Sequence, residues 1–169
     1  LGTDERSLLV SVTLGKSALG LGIVDASTGQ AWASHLNGEV RFARALDEIM
    51  RWRPTEIVVS PQDAEDTALC ALFSHLDSVL ISQHRASENK RRDRLEKVLK
   101  VADLGHLDLD DAPLALAAAG LAADYLATMH IADEIPLREI EIIDESGHLV
   151  LDQTTLRNLE LTSTLAGEF

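Results

Sequence analysis

Cysteine, aromatic residues and extended apolar runs are all scarce in this chain of 169 residues. The single cysteine, Cys70, excludes a disulfide within the chain and suits a reducing compartment. It lies on the apolar side of a predicted helix, where we expect it to be buried. The main apolar run, residues 112–123, is about a dozen residues long, well short of the roughly 20 that a membrane-spanning helix needs. With no signal-peptide pattern at its start, the chain is expected to be cytoplasmic, without a membrane partner.

Positive charge is scarce as well. Fifteen Lys and Arg residues stand against 28 Asp and Glu residues, which leaves a formal net charge of −13. Proteins that hold DNA directly usually present a basic surface, because the neutralisation of phosphates is the main source of their affinity. The chain as a whole should therefore repel DNA, although an acidic balance can also reflect solubility alone.

The first part of the chain has the alternating pattern of β-strands. Apolar residues at every second position from Leu8 to Leu14 predict a half-buried first strand. In the second strand, Gly20 and Gly22 leave one face nearly bare, which permits the close approach of another backbone. A third strand over residues 30–36 completes a predicted antiparallel meander.

Helices and strands then alternate. An apolar stripe predicts a first helix that Pro54 ends, and residues 56–60 form an apolar run typical of a buried parallel strand. Asp63 is the predicted N-cap of a second helix, and a fifth strand follows at residues 78–82. This order predicts an α/β fold with a mixed five-stranded sheet, three antiparallel strands followed by parallel additions, flanked by helices. The two helical stripes consist of Phe42, Ala45, Leu46 and Ile49, and of Leu69, Leu72, Phe73 and Leu76.

The later part of the chain is predicted to be mainly helical. Residues 112–130 form a helix rich in small side chains, with Asp111 as its expected cap and Pro113 in its first turn. We expect this helix to be buried, with a tight contact at Ala119-Gly120. A last strand with one solvent-exposed face is predicted at residues 137–143. Residues 148–151 could pair back onto it, and the sequence does not decide this.

Two stretches resemble a known family. Residues 149–161, LVLDQTTLRNLEL, are similar to the LDxxTxRNLEL pattern that opens the core domain of MutS-family DNA mismatch repair proteins. Residues 112–126 resemble that family's APxALxAAGxLxxYL stretch, whereas residues 97–109 depart from its usual composition. The resemblance implies a connector domain with the ribonuclease H-like fold over residues 1–148. The truncated start of the core domain would follow at residues 149–169.

The resemblance also implies a function. The chain would be a non-catalytic connector that couples the mismatch-binding and ATPase ends of its parent protein and offers a docking surface for a MutL-like protein. Its other partners would be the remaining domains of the parent, and mismatched DNA only through that parent. No cofactor or metal is expected in this fragment, because ATP and Mg²⁺ would be bound elsewhere in the parent. Any association with the nucleoid would likewise come through the parent protein.

Two other functions remain open. A ribonuclease H-like nuclease or resolvase would hold two Mg²⁺ ions with a carboxylate cluster that includes an Asp of the first strand, yet residues 7–14 contain no carboxylate. Asp25 lies beside a turn, where local hydrogen bonding explains the choice of an aspartate.

Gly15-Lys16-Ser17 lacks the upstream glycine of a phosphate-binding loop and predicts a hairpin turn. The six histidines show no close ligand pair, which favours surface positions over a zinc site. A stand-alone interaction module is the third possibility.

A basic run is the one candidate for a functional surface. The predicted helix over residues 87–104 carries six of the 15 basic residues. One interpretation is a solvated helix face, partly neutralised by acidic residues at helical spacing. The other is a docking surface whose charge sets encounter rate and specificity. For this second role the candidates are Lys90, Arg91, Arg92 and Arg94.

Overall fold

The computed structural model describes residues 7–99, 113–129, 139–143 and 149–151, which form one mixed sheet with helices on both faces. The strands are β1 (Leu8–Leu14), β2 (Ala18–Asp25), β3 (Gln30–Asn37), β4 (Glu56–Val59), β5 (Leu80–Gln83), β6 (Glu139–Ile143) and β7 (Leu149–Leu151). The helices are α1 (Arg41–Trp52), α2 (Thr67–Phe73), α3 (Glu88–Leu99) and α4 (Pro113–Met129).

The strands are ordered β5-β4-β1-β2-β3-β6-β7 across the sheet. β1, β2 and β3 form the predicted antiparallel meander, and β4 and β5 add in parallel beside β1. β6 pairs in parallel with β3, and β7 pairs antiparallel with β6. The described residues thus form a sheet of seven strands, where five were predicted. The five predicted strands form a contiguous block, and the late strands extend it because buried Ile140 and Ile142 continue the apolar face of β3.

β1 is buried on both faces, whereas its alternating pattern predicted a half-buried strand. The reason is that helices cover both sides of the sheet at this position. Ser11 is fully buried on the less apolar face, where its hydroxyl donates a hydrogen bond to the carbonyl of Ala118 in α4. At this position a polar side chain therefore indicates a contact with a helix and not exposure to solvent.

α1 and α2 cover one face of the sheet. The predicted stripe of α1 is confirmed, because Ala45 and Ile49 are buried while Phe42 and Leu46 pack at the edge of the same cluster. The helix ends at Trp52, and Arg53 takes a left-handed backbone conformation before Pro54. The buried large aliphatic residues of the sheet on this side are Val10, Val12, Leu19, Leu21, Ile23, Leu36, Ile57 and Val59.

Two predictions about the second helix are wrong. Asp66, and not Asp63, is the N-cap, because its carboxylate accepts a hydrogen bond from the Leu69 amide at 2.9 Å. Asp63 instead opens a short 3₁₀ turn, and its carboxylate accepts the Leu14 amide at 3.1 Å. Cys70 is exposed, because Leu69 and Leu72 face the core and Cys70 lies on the other side of the helix.

α3 and α4 cover the other face, and the bare positions of β2 explain how. A Cβ atom on Gly20 would lie 1.9 Å from the carbonyl oxygen of Leu114, and one on Gly22 would lie 3.1 Å from that of Ala118. The predicted close approach of another backbone to this strand is thus confirmed, and the approaching element is α4. α4 is buried along most of its length, as its small residues predicted.

The ends of several elements differ from the predictions. β5 begins at Leu80 and not at residue 78, because Ser78 has a φ of 60°, which is incompatible with an extended strand. The expected cap Asp111 and residues 152–161 of the family-like pattern lie outside the described residues. In the part of the chain that the structure describes, no helix combines the length and hydrophobicity needed to cross a membrane.

Candidate functional site

The four basic candidates of α3 do not share one surface. Lys90 and Arg92 are exposed, and the Arg92 guanidinium lies 3.6 Å from the Glu88 carboxylate one turn earlier. Arg91 and Arg94 point inward to the interface between α3 and α4. Only part of the predicted surface is therefore available to a partner in this conformation.

Arg91 is half-buried and connects α3 to the rest of the domain. Its Nε donates to the carbonyl of Ala86 at 2.9 Å, and one terminal nitrogen reaches both the Thr13 hydroxyl at 3.0 Å and the Ala117 carbonyl at 3.3 Å. Burial lowers the pKa of Arg91, and the nearby carboxylates of Asp63 and Asp124 oppose that change. The side chain joins α3 to β1 and α4 at once.

Asp124 is the centre of a second inward-facing group. Only 4% of this residue is exposed, yet it carries two basic partners. Arg94 Nε lies 2.9 Å from one carboxylate oxygen, and His84 Nε2 lies 2.7 Å from the other. Burial acts to raise the pKa of Asp124, but the hydrogen bonds and charges of Arg94 and His84 outweigh it and lower the pKa. We call Asp124, Arg94 and His84 the Asp124 clasp.

The clasp was missed from the sequence. Asp124 was only the first polar residue after an apolar helical run, and His84 was expected at the surface; its side chain is in fact 13% exposed and bonded to a buried carboxylate. The signal that existed was a lone acid within an otherwise apolar helix, which requires a partner when buried. Nothing in the sequence shows that the partners are 30 and 40 residues away.

A third polar group lies beside the clasp. The Tyr125 hydroxyl and the Ser82 hydroxyl both donate to one carboxylate oxygen of Glu56, the latter at 2.6 Å. Burial raises the pKa of Tyr125, and the hydrogen bond to Glu56 adds to that change. The rings of His84 and Tyr125 meet edge to face at 5.4 Å. These contacts join α4 to β4 and β5.

The residues considered for catalysis have structural partners. Asp25 accepts the Ser27 amide at 2.9 Å, which is the local turn bonding that the sequence predicted. The Gly15 amide donates to the Ala18 carbonyl at 2.8 Å, so Gly15-Lys16-Ser17 is the predicted hairpin turn. Within the described ranges, no group of three or more His, Cys, Asp or Glu side chains is placed to hold a metal ion.

Fold and polar contacts together define a layered α/β domain that uses its buried charges to fix its own helices. The family model of MutS domain II matches residues 7–139. The chain therefore belongs to the MutS domain II family, the connector domain of DNA mismatch repair proteins, as the resemblance indicated.

Curated relatives agree with this assignment. The chain is 31% identical to the DNA mismatch repair protein MutS of Symbiobacterium thermophilum, over 98% of the chain and 19% of that protein. It is 35% identical to MutS of Anaeromyxobacter sp. (strain K), over 99% of the chain and 18% of that protein. The MutS of Methanococcoides burtonii is 26% identical over 97% of the chain and 19% of that protein. The chain thus spans less than a fifth of the length of the first two relatives.

Proposed function

We propose that the chain works as the connector of a MutS-type protein, coupling a mismatch-binding end to an ATPase end without chemistry of its own. The match of MutS domain II to residues 7–139 is the observation that carries this proposal. In this proposal ATP and Mg²⁺ are bound elsewhere in the parent, and mismatched DNA and the nucleoid are reached only through it. Residues 1–148 would be the connector and residues 149–169 the start of the next domain.

The ribonuclease H-like fold is part of the same proposal. The block β5-β4-β1-β2-β3 has a meander of three antiparallel strands and two parallel additions, with helices on both faces. This is the arrangement expected of that fold. The nuclease alternative is not favoured, because β1 carries no carboxylate to hold a metal at its centre. Mg²⁺-dependent cleavage of DNA or RNA by the purified chain would support the nuclease instead.

Mechanical coupling is supported by the way α4 connects the layers. This helix packs on β1, β2, β3 and β4 and also on α3. At Gly20 and Gly22 of β2 this helix is in contact through its backbone atoms. No flexible side chain therefore lies between the helix and the strand at these two positions. A displacement imposed on one edge of such a close-packed unit is passed to the other edge with little deformation.

The exposed face of α3 is the proposed docking surface for a MutL-like protein. With Arg91 and Arg94 held inward, the two candidates that a partner can reach are Lys90 and Arg92. Long-range attraction to an acidic patch on the partner would raise the association rate and would weaken as salt screens it.

The test is a binding titration of this chain against the N-terminal domain of a MutL protein at low and moderate salt. The double variant K90E/R92E should weaken binding at least about tenfold, because two attractive charges become repulsive. The matched control K16E/R51E reverses two other exposed basic residues and should change affinity little.

The two parts of the proposal can fail separately. Equal affinities for K90E/R92E and for the control would place the docking surface elsewhere. An absence of binding by the folded chain would remove docking from the proposal and leave only coupling. That role can be measured by introducing D124N into the full-length parent protein and following mismatch-stimulated ATPase activity.

A further inference from the structure

The described part of α3 buries few apolar side chains. Among its described side chains, those from Glu88 to Lys97, Leu95 is the one that is buried. α3 packs mainly on α4, whereas α4 packs on four strands of the sheet. In the described part of α3, hydrophobic burial therefore contributes less than it does in α4.

Polar anchors supply what apolar packing does not. The Asp124 clasp holds the middle of α3 through Arg94 and the segment just before the helix through His84. Arg91 adds bonds to the Thr13 hydroxyl and the Ala117 carbonyl. These partners sit on α4 and β1, so the anchors are concentrated at one interface and can break together.

The contact between the helices is close but shallow. A Cβ atom on Gly120 would lie 2.6 Å from the Cβ of Arg91 and 2.8 Å from its carbonyl oxygen. At Gly120 the backbone of α3 thus rests directly on α4, and among the described side chains of α3 only Leu95 is buried in the core on this side. Because Gly120 has no side chain, the contact at this point is with the Arg91 backbone and Cβ and adds little buried apolar area.

We propose that the Asp124 clasp is releasable, and that α3 detaches from α4 as a unit while the sheet and the other described helices stay folded. Release uncovers Gly120 together with the neighbouring alanines, and it frees Arg91 and Arg94 to join Lys90 and Arg92 on one surface. The domain would then have two surface states, set by one buried carboxylate and its two partners. This inference stands on the contacts of α3 and does not depend on the proposed function.

Native-state hydrogen exchange on the full chain in low urea tests the proposal. The α3 amides should exchange through an opening that exposes much less surface than global unfolding, seen as a smaller urea dependence than that of the β1 amides. In D124N the α3 amides should exchange at least about tenfold faster, as expected when charge-assisted hydrogen bonds are lost. The exchange rates of the β1 and β4 amides should change only as much as the free energy of global unfolding changes.

Two further variants make the test decisive. R94Q removes one arm of the clasp, keeps the His84 bond and should accelerate exchange in α3 less than D124N does. D93N changes an exposed acid on the same helix and should leave its exchange unaltered. If the α3 amides show the urea dependence of β1 in the native chain and in R94Q, α3 opens only by global unfolding and the proposal is overturned. That comparison decides the matter even if D124N does not fold.

Discussion

Single residues in β2 decide how the two helical layers differ. The face towards α1 presents Leu19, Leu21 and Ile23, while the face towards α4 presents Gly20 and Gly22. Without side chains at these two positions, the backbone of α4 lies directly on the strand. The sequence showed the bare face, and physical reasoning from it predicted the close approach correctly.

Substitution of Gly20 by alanine should be among the most destabilising changes in the domain. The added Cβ would sit 1.9 Å from the Leu114 carbonyl oxygen, so α4 or β2 must move. We expect G20A to lower the free energy of unfolding by about 3 kcal/mol or more, which is the upper range for overpacking. Urea denaturation followed by circular dichroism measures it.

Gly38 provides the matched control for that change. Its φ of 91° disfavours alanine, but no atom lies within 4 Å of the added Cβ. G38A should therefore cost only about 1–2 kcal/mol of backbone strain. A G20A variant no less stable than G38A would contradict the close contact between α4 and β2.

Asp124 should make stability depend on pH in a defined direction. Its pKa in the folded chain lies below the ordinary value of 3.8, so its bonds stabilise the fold above that pH and are lost as pH falls through the lower folded pKa. At pH 7, D124N should unfold more easily than the native chain by about 1.5–3 kcal/mol. The difference should shrink steadily below about pH 4.

The measurement is a set of urea unfolding curves for the native chain and D124N between neutral and acid pH. D93N, an exposed acid on α3, serves as the control and should track the native chain throughout. A difference between the native chain and D124N that stays constant down to the lowest pH would show that Asp124 is not held ionised by Arg94 and His84.

At the scale of elements, α1 was the most predictable part of the fold. Its apolar stripe recurs at helical spacing, and the structure buries the residues at the centre of that stripe. Local pattern and tertiary packing agree here, because one face of the helix meets a continuous aliphatic surface of the sheet.

Truncation of Ile49 in α1 should reveal how tightly that surface is packed. The residue is 1% exposed, whereas the adjacent Met50 is 56% exposed. I49A should lower the free energy of unfolding by about 2–5 kcal/mol through lost burial and a residual cavity. M50A should remain within about 0.5 kcal/mol of the native chain. Comparable losses in the two variants would contradict the orientation of α1.

Elements that depend on distant partners were less predictable. The acids of the Asp63–Asp66 segment compete for one cap, and only the extra 3₁₀ turn decides in favour of Asp66. The placement of β6 beside β3 joins residues that are more than a hundred positions apart, so no local pattern reveals it. Arg91 and Arg94 looked like surface charge because their partners, Thr13 and Asp124, lie on other elements.

At the scale of the whole molecule, the two faces of the sheet have different kinds of core. One contains large aliphatic and aromatic side chains, and the other combines larger side chains such as Leu121 and Ile140 with several alanines and polar anchors. The helices of the second face are therefore held by direction-dependent hydrogen bonds as well as by apolar packing. In a connector, this division would give one rigid side and one side whose outer helix can change position.

The net charge of −13 is the whole-molecule property with the clearest consequence. Phosphate contacts by Lys and Arg supply nearly all non-specific DNA affinity, and such binding usually has a Kd of about 10⁻⁴ to 10⁻⁶ M at physiological salt. This chain should bind duplex DNA, matched or mismatched, more weakly than about 10⁻⁴ M under those conditions. Fluorescence anisotropy with a labelled duplex at two salt concentrations measures this, with a full-length MutS as the positive control.

The K90E/R92E variant should bind DNA as weakly as the native chain, because there is no DNA contact for it to remove. Micromolar, salt-sensitive binding that this variant abolishes would instead make the exposed face of α3 a DNA contact and redirect the search for its partner.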